Sequence, residues 1–352
     1  MTVESRERKM RALQLESFGR MAVIELPEPT PGAGEVVLEI TATGICGSDI
    51  HGFTGENGRR VPGQVMGHES VGHIHAIGEG VDPAAAPIGA VATFNPVIIS
   101  EENRREFLGR EQHDPERVVI GVDVARTAAF AHRIIVPIEN IVLLPDTMPL
   151  AYGALIEPLA VGLNAVRRVN LQPGESVLVV GGGPIGQSTV LAAFHEGAAK
   201  VYVSEPNADR RDLCATLGAV PIDPAAGPVA EQVRGLHGSL VEVAVDAVGL
   251  SETLADALSS TPFGGRVCLV GMGRPEISLA AYRVSTEERS IVGSFCYSFA
   301  VFDDAARWVG QGGDIFSNLI TAEVPLEEAQ AAFDRLTTRA DVPGKILVRL
   351  DR

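Results

Sequence analysis

Residues 176–186 read SVLVVGGGPIG, and the reading of this stretch decides the fold. A valine-rich run leads into Gly181-x-Gly183-x-x-Gly186, and from Pro184 and Ile185 onward the pattern is helical. A glycine triplet of this spacing is common by itself, but between a buried strand and a helix it is a dinucleotide-binding fingerprint. Gly181 makes the tight turn, Gly183 lets the backbone approach a pyrophosphate, and Gly186 lets helix and strand pack closely. The helix start then presents free N–H groups and the positive end of its dipole to the phosphates. Glu205 closes the next strand, 19 residues after Gly186 (205 − 186). An acidic side chain there accepts the ribose hydroxyls and repels a 2′-phosphate, which favours NAD over NADP. Arg210 and Arg211 lie close by and are the only opposing signal, since a guanidinium accommodates such a phosphate.

Working outward from this stretch, strand-like runs at 176–180, 200–204, 241–245 and 266–270 alternate with helical patterns at 184–197, 207–217, 229–236 and 251–259. That rhythm predicts a parallel, doubly wound sheet with right-handed crossovers. A further strand, IVGSF at 291–295, is an expected sheet edge, followed by two helices and a last strand at 344–350. Before residue 170 the texture differs. Runs at 11–15, 21–26 and 35–43 alternate apolar with polar residues, and the breaker cluster PEPTPGAGE separates the last two, so this part is β-rich.

With 352 residues the chain is long for one core and suits two domains. A composition of 45% hydrophobic and 21% charged residues fits a globular protein with sizeable cores. The net charge of −16 argues against nucleic acid or an anionic membrane as partner. Cys46, Cys214, Cys268 and Cys296 are widely spaced, which suits a reducing cytoplasm rather than a disulfide framework. The start, MTVESRERKM, has no apolar segment of a signal peptide, and no run of about 18 apolar residues predicts a membrane span.

Two segments of the β-rich part carry chemistry: GICGSDIH at 44–51 and VMGHESVG at 65–72. A thiolate, an imidazole and a carboxylate are the ligand kit of a catalytic zinc, although each residue alone has an ordinary structural explanation. Together, these segments resemble the zinc-dependent medium-chain dehydrogenases of the alcohol dehydrogenase superfamily, the sorbitol and polyol dehydrogenases in particular. The resemblance runs from G-x-C-G-S-D-x-H, through G-H-E-x-x-G at 67–72 and Glu157-Pro158-Leu159, to the glycine motif and the terminal Gly344-Lys345.

The resemblance implies a fold of two parts: a GroES-like β-barrel catalytic domain over 1–161 and 298–352, and a Rossmann NAD-binding domain over 162–297. It implies that Cys46 and His68 are zinc ligands, with Glu69 a third ligand or close neighbour and Glu157 the remaining acidic group, direct or through water. Asp49 would accept the other ring N–H of His68. Ser48 would bond the substrate oxygen and pass its proton toward His51, at the solvent end of the relay. Ile185, Arg210, Val270-Gly271-Met272 and Ser294-Phe295 match family cofactor contacts more loosely. The chemistry suits this arrangement, because an alcohol yields hydride readily only as its alkoxide, and a Lewis acid makes that form accessible near neutral pH.

Two departures sharpen the expectation. Many relatives hold a second, structural zinc with four close cysteines, but residues 95–117, NPVIISEENRREFLGREQHDPER, contain none. One zinc per chain is therefore expected, with this lobe held by packing and salt bridges. Sorbitol dehydrogenases resemble F-R-Y at 295–297, whereas this chain has Phe295-Cys296-Tyr297, and the aromatic that follows His51 in those enzymes is replaced by Gly52 with Phe53 beyond it. Phe53, Cys296 and Tyr297 are thus the expected substrate residues, and the substrate is a polyol, sugar or cyclitol other than sorbitol. Competing readings are the same chemistry on an amino-acid alcohol or an aldose carbon 1, and a non-catalytic NAD-binding protein. Relatives form homodimers or homotetramers, often edge to edge.

Overall fold

A computed structural model describes residues 8–56, 58–338 and 342–351. The chain divides into two compact units, Met1–Glu157 with Ser298–Arg352, and Pro158–Tyr297.

The second unit carries the predicted sheet. Six parallel strands lie in the order Val220–Ile222, Lys200–Ser204, Ser176–Val180, Val243–Asp246, Arg266–Leu269, Ser290–Gly293. Numbered within the unit this is 3-2-1-4-5-6, the doubly wound Rossmann order, with its switch point between Ser176–Val180 and Val243–Asp246. Ser176–Val180 is buried at every position, as a central strand with helices over it must be. Helices Pro184–His195, Ala208–Thr216, Val229–His237 and Ser251–Ser259 make the crossovers. Three strand ends differ from expectation. Val241 N donates to Ser260 O before its strand begins, whereas Val270 N and Ser294 N donate the last rungs of their ladders, to Asp246 O and Leu269 O, and the chain then turns away. Ser290–Gly293 is the edge strand, as read from the sequence.

The first unit is β-rich. Its main sheet runs Ile320–Pro325, Lys345–Arg349, Glu35–Gly44, Glu69–Ile77, Val91–Phe94, Ile141–Leu143, with Arg133–Pro137 also on Glu35–Gly44. Bulges between Val37 and Leu38 and between Ile40 and Ala42 bend the long central pair. The chain's return from the second unit completes this sheet, since Lys345–Arg349 pairs antiparallel with the end of Glu35–Gly44. The core under it gathers Val36, Leu38 and Ile40 with Phe53, Phe130 and Phe333. No described helix is long and apolar enough to cross a membrane.

The lobe at 95–117 is organised mainly by buried carboxylates. Asp114, wholly buried, accepts from Asn103 Nδ2 at 3.2 and 3.1 Å and from Glu116 N at 2.8 Å. Glu111 accepts from Gly109 N at 2.8 Å and from Phe299 N at 3.1 Å, and Arg104 pairs with Glu139. Carboxylate-to-amide bonds thus join the expected salt bridges in holding the lobe. Asp114→Ala should destabilise the protein by about 2 kcal/mol, the usual cost of deleting a buried charged acceptor. Denaturant unfolding and limited proteolysis between residues 100 and 117 measure this; unchanged stability and unchanged cleavage would refute the assignment.

Candidate active site

Local rules place the thiol. Cys46 is the N-cap of helix Gly47–Thr54: its Sγ accepts from Ser48 N at 3.5 Å, while Cys46 N donates to Asp49 Oδ2 at 3.1 Å. This is a capping box with cysteine in the place of serine or threonine. Register places the other donors. Gly44 pairs with Glu69 across the antiparallel ladder, so Cys46 just beyond one strand meets His68 and Glu69 at the start of the next. One ligand atom each from Cys46, His68 and Glu69 lies within 4.8 Å of the others. Sulfur, imidazole nitrogen and carboxylate oxygen at this spacing fit a zinc ion.

The site is buried and strongly charged. His68 is 6% exposed; burial favours its neutral form, but the electrostatic pull of Asp49 and Cys46 overrides this and holds its pKa up at about 10. Asp49, wholly buried, is pushed up by burial against the opposing pull of His68 and Arg60. Its Oδ1 stands 3.8 Å from His68 Nδ1 and 3.8 Å from Arg60 Nη2, ion-pair spacings rather than the hydrogen bond expected for His68. Glu69, also wholly buried, is bound through both oxygens by Lys345 Nζ. Burial works against the charge on Lys345, and Glu69 and Cys46 outweigh it and raise its pKa. Glu157, in the first turn of Ile156–Arg168 and 8% exposed, is close enough to act electrostatically on His68 and Lys345.

Ser48 and His51 sit three residues apart on one helix and so share a face. Ser48 is half-buried, and His51, 37% exposed in its side chain, meets Glu56 Oε2 through Nδ1 at 3.1 Å. Phe53 corrects the expectation. It is 3% exposed and packs on Phe333 with ring centroids 5.2 Å apart, within the core of the first unit. Arg60 was not singled out from sequence, and Lys345 was quoted only with Gly344 as the end of the resemblance, with no role at the site. Lys345 opens a fully buried KILV run, and a charge inside such a run is the signal that it needs a buried partner.

In the second unit Gly181 adopts φ +96°, and a side chain on Gly186 would put Cβ 1.8 Å from Gly181 O, so both glycines are obligatory. Gly183 caps helix Pro184–His195, with Pro184 and Ile185 in its first turn. Glu205 is 5% exposed and accepts from Gly182 N at 2.7 Å and Asn207 N at 2.8 Å. It therefore ties the glycine loop to the next turn while keeping lone pairs for a ligand. Arg211 is committed to Glu205 O, Pro206 O and Asp223, whereas Arg210 Nη1 lies 4.0 Å from where a Gly183 Cβ would be. Val270, Gly271 and the exposed Met272 lie just past one strand end; Ser294, whose Oγ accepts from Asn164 Nδ2 at 3.0 Å, and the half-exposed Phe295 lie just past the next. Cys296 has φ +46°, and Tyr297 is wholly buried.

Residues 32–146 match the family model of the alcohol dehydrogenase GroES-like domain, and residues 184–311 that of the zinc-binding dehydrogenases. Sorbitol dehydrogenase of Ovis aries is 31% identical, the match covering 97% of this chain and 96% of that protein. L-idonate 5-dehydrogenase of Vitis vinifera is 33% identical over 76% of this chain and 75% of its own. Among solved structures, a protein of Sinorhizobium meliloti 1021 described as a zinc-binding dehydrogenase, bound to NADP, superposes with a TM-score of 0.88 at 30% identity, covering 97% of this chain and 99% of that one. The fold and site thus define a zinc-dependent medium-chain dehydrogenase: the chain belongs to the alcohol dehydrogenase superfamily. Within that family it is sorbitol dehydrogenase-like, an NAD(P)-linked oxidoreductase with a GroES-like and a Rossmann part.

The raised pKa of His68 has a measurable consequence. Its stabilising charged form is complete below the ordinary pKa of 6.5 and is lost as pH rises toward about 10. In protein stripped of metal, Tm should fall over that interval. Saturating zinc should flatten the dependence, because a ligating imidazole is neutral. A Tm of the stripped protein that is flat from pH 6.5 to about 10 would contradict the arrangement.

Proposed function

We propose that this chain oxidises a secondary alcohol of a polyol, sugar or cyclitol and passes the hydride to NAD. The observation that carries the reading is the convergence of Cys46, His68 and Glu69 donors at the start of a helix that also bears Ser48 and His51. Zinc would be held by Cys46 and His68, with Glu157 or Glu69 completing the set; the pairing of Glu69 with Lys345 favours Glu157. Bound there, the metal supplies Lewis-acid polarisation of the substrate oxygen. Ser48 accepts the hydroxyl proton and passes it to His51, whose exposure and contact with Glu56 let it release that proton to solvent. Asp49 and Arg60 hold the orientation of His68. The carbon-bound hydrogen leaves as hydride, so the alcohol is oxidised by two electrons and NAD reduced by two. Residues 1–161 and 298–352 form the catalytic domain in this reading, and 162–297 the cofactor domain.

Several finer points follow the same way. One zinc per chain suits the cysteine-free lobe at 95–117. NAD is favoured over NADP because the Glu205 carboxylate is fixed by two backbone N–H groups where a 2′-phosphate would meet it, and Arg211 is engaged elsewhere. Cys296 in place of an arginine favours a substrate other than sorbitol, and the exposed Phe295 beside it is the neighbouring candidate for contact, Tyr297 being as buried as Phe53. The relatives named for sorbitol, L-idonate and L-galactonate set the chemical range. Homodimers or homotetramers joined along the open edge of Ser290–Gly293, and a cytoplasmic setting that suits four widely spaced cysteines, complete the proposal.

Cys46→Ala should remove bound zinc and lower turnover at least about 1,000-fold while leaving NADH affinity within about twofold. Metal analysis, a polyol, sugar and cyclitol panel, and NADH titration test it. Wild-type protein with no zinc and no turnover on the panel would overturn the reading. With the best substrate, kcat/KM for NAD should exceed that for NADP by about tenfold or more. A preference for NADP would refute the role given to Glu205.

A further inference from the structure

A dinucleotide bound by the glycine loop lies across the C-terminal ends of the strands at the switch point. Glu205 marks the side of the adenosine ribose, just past the end of Lys200–Ser204, the strand next to Ser176–Val180. The other half of the molecule must therefore run the opposite way, over the ends of Val243–Asp246 and Arg266–Leu269. Two short loops form that surface, residues 247–250 and 270–273.

Asp246 holds both. It is wholly buried, and its carboxylate accepts three hydrogen bonds: Oδ1 from Val248 N at 2.9 Å and Gly249 N at 3.0 Å, and Oδ2 from Thr253 Oγ1 at 3.0 Å. Its backbone carbonyl accepts Val270 N at 3.0 Å and Gly271 N at 2.9 Å from the other loop. The loops then lock onto each other. Gly273 N donates to Val248 O at 2.9 Å and Arg274 N to Gly249 O at 3.1 Å. They lie so close that a Cβ on Gly271 would sit 2.2 Å from Val248 C and 2.4 Å from Gly249 N. A buried carboxylate is costly in a sheet core, and here its bonds fix the 247–250 loop and the helix start behind it, which in turn holds the 270–273 loop through the backbone bonds between them.

We propose that Asp246 is a positioning residue for the nicotinamide half of the cofactor, acting through the two loops that it joins. The proposal rests on the nicotinamide-cofactor reading above. Asp246 touches no reacting atom. Its carboxylate fixes the floor on which the nicotinamide ring is oriented, and the glycine loop and Glu205 bind the adenosine diphosphate half independently of it. The two halves of the ligand should consequently respond differently to its loss.

The test compares the Kd of NADH with that of ADP-ribose, which lacks the nicotinamide, for the full-length wild type, Asp246→Asn and Thr253→Val. Asn keeps the shape but replaces charge-assisted bonds with weaker neutral ones. Asp246→Asn should weaken NADH roughly tenfold and ADP-ribose less than about twofold. Thr253→Val, which removes one of the three donors, should act in the same sense and by roughly threefold on NADH. If Asp246→Asn does not fold, the Thr253→Val comparison decides alone. Equal weakening of both ligands would mean that Asp246 merely supports the sheet, and no change in either would mean that the loops hold without it; both results overturn the proposal. Wild-type protein that binds neither ligand would overturn the cofactor reading itself, and the proposal with it.

Discussion

The pairing of Gly44 with Glu69 is the constraint on which the candidate metal centre depends. It is the last rung of a long antiparallel ladder, and it sets the end of one strand against the start of the next. Cys46 lies two residues beyond one partner and His68 one residue before the other. Side chains in a strand alternate faces, so a slip of a single residue would turn Glu69 away and carry His68 out of reach. The strand is buried on both faces, and a slip would take Val36, Leu38 and Ile40 out of the core they pack in, which opposes it. A third strand reads the same register. Leu347 pairs with Gly44, which brings Lys345 to Glu69 from 276 residues away. Apolar packing along the ladder thus determines where the charged groups meet.

Those charged groups are not an economical way to hold a fold together. Asp49, Arg60, Glu69 and Lys345 are each at most 3% exposed, and removing charges from water costs several kcal/mol per ion before attraction offsets it. Glu69 and Lys345 recover much of this through two close contacts. Asp49 recovers less: one oxygen is bonded to Cys46 N, and the other stands 3.8 Å from both His68 and Arg60 without a hydrogen bond. An incompletely satisfied buried cluster inside an otherwise well-packed sheet marks a place shaped for chemistry rather than for stability.

The second unit was the more legible of the two. Its strands and helices alternate so regularly that the sheet, the glycine turn and the edge position of Ser290–Gly293 follow from pattern alone. In the first unit the motif at 44–51 was legible because a capping box and the ligand residues coincide within one helical turn. What escaped reading depends on distance or on helical phase. Arg60 and Lys345 become meaningful only once remote segments meet. Phe53 stands one step beyond the position of the family's aromatic, and in a helix one step is enough to change the face: Phe53 turns into the core against Phe333. Asp246 ends an apolar VAVD run and reads as an ordinary strand end until its three acceptor bonds are traced.

A common device links the two units. Glu205 and Asp246 each use a carboxylate to accept two backbone N–H groups from the turns at strand ends, and Glu111 does the same in the cysteine-free lobe. Turns held in this way keep their shape before any ligand arrives, since their amides already have strong, charge-assisted partners. Binding then need not order them, and the ordering entropy that would otherwise weaken affinity is already met on folding. The acidic balance of the chain, a net charge of −16, is in this light partly an inventory of anionic acceptors turned inward.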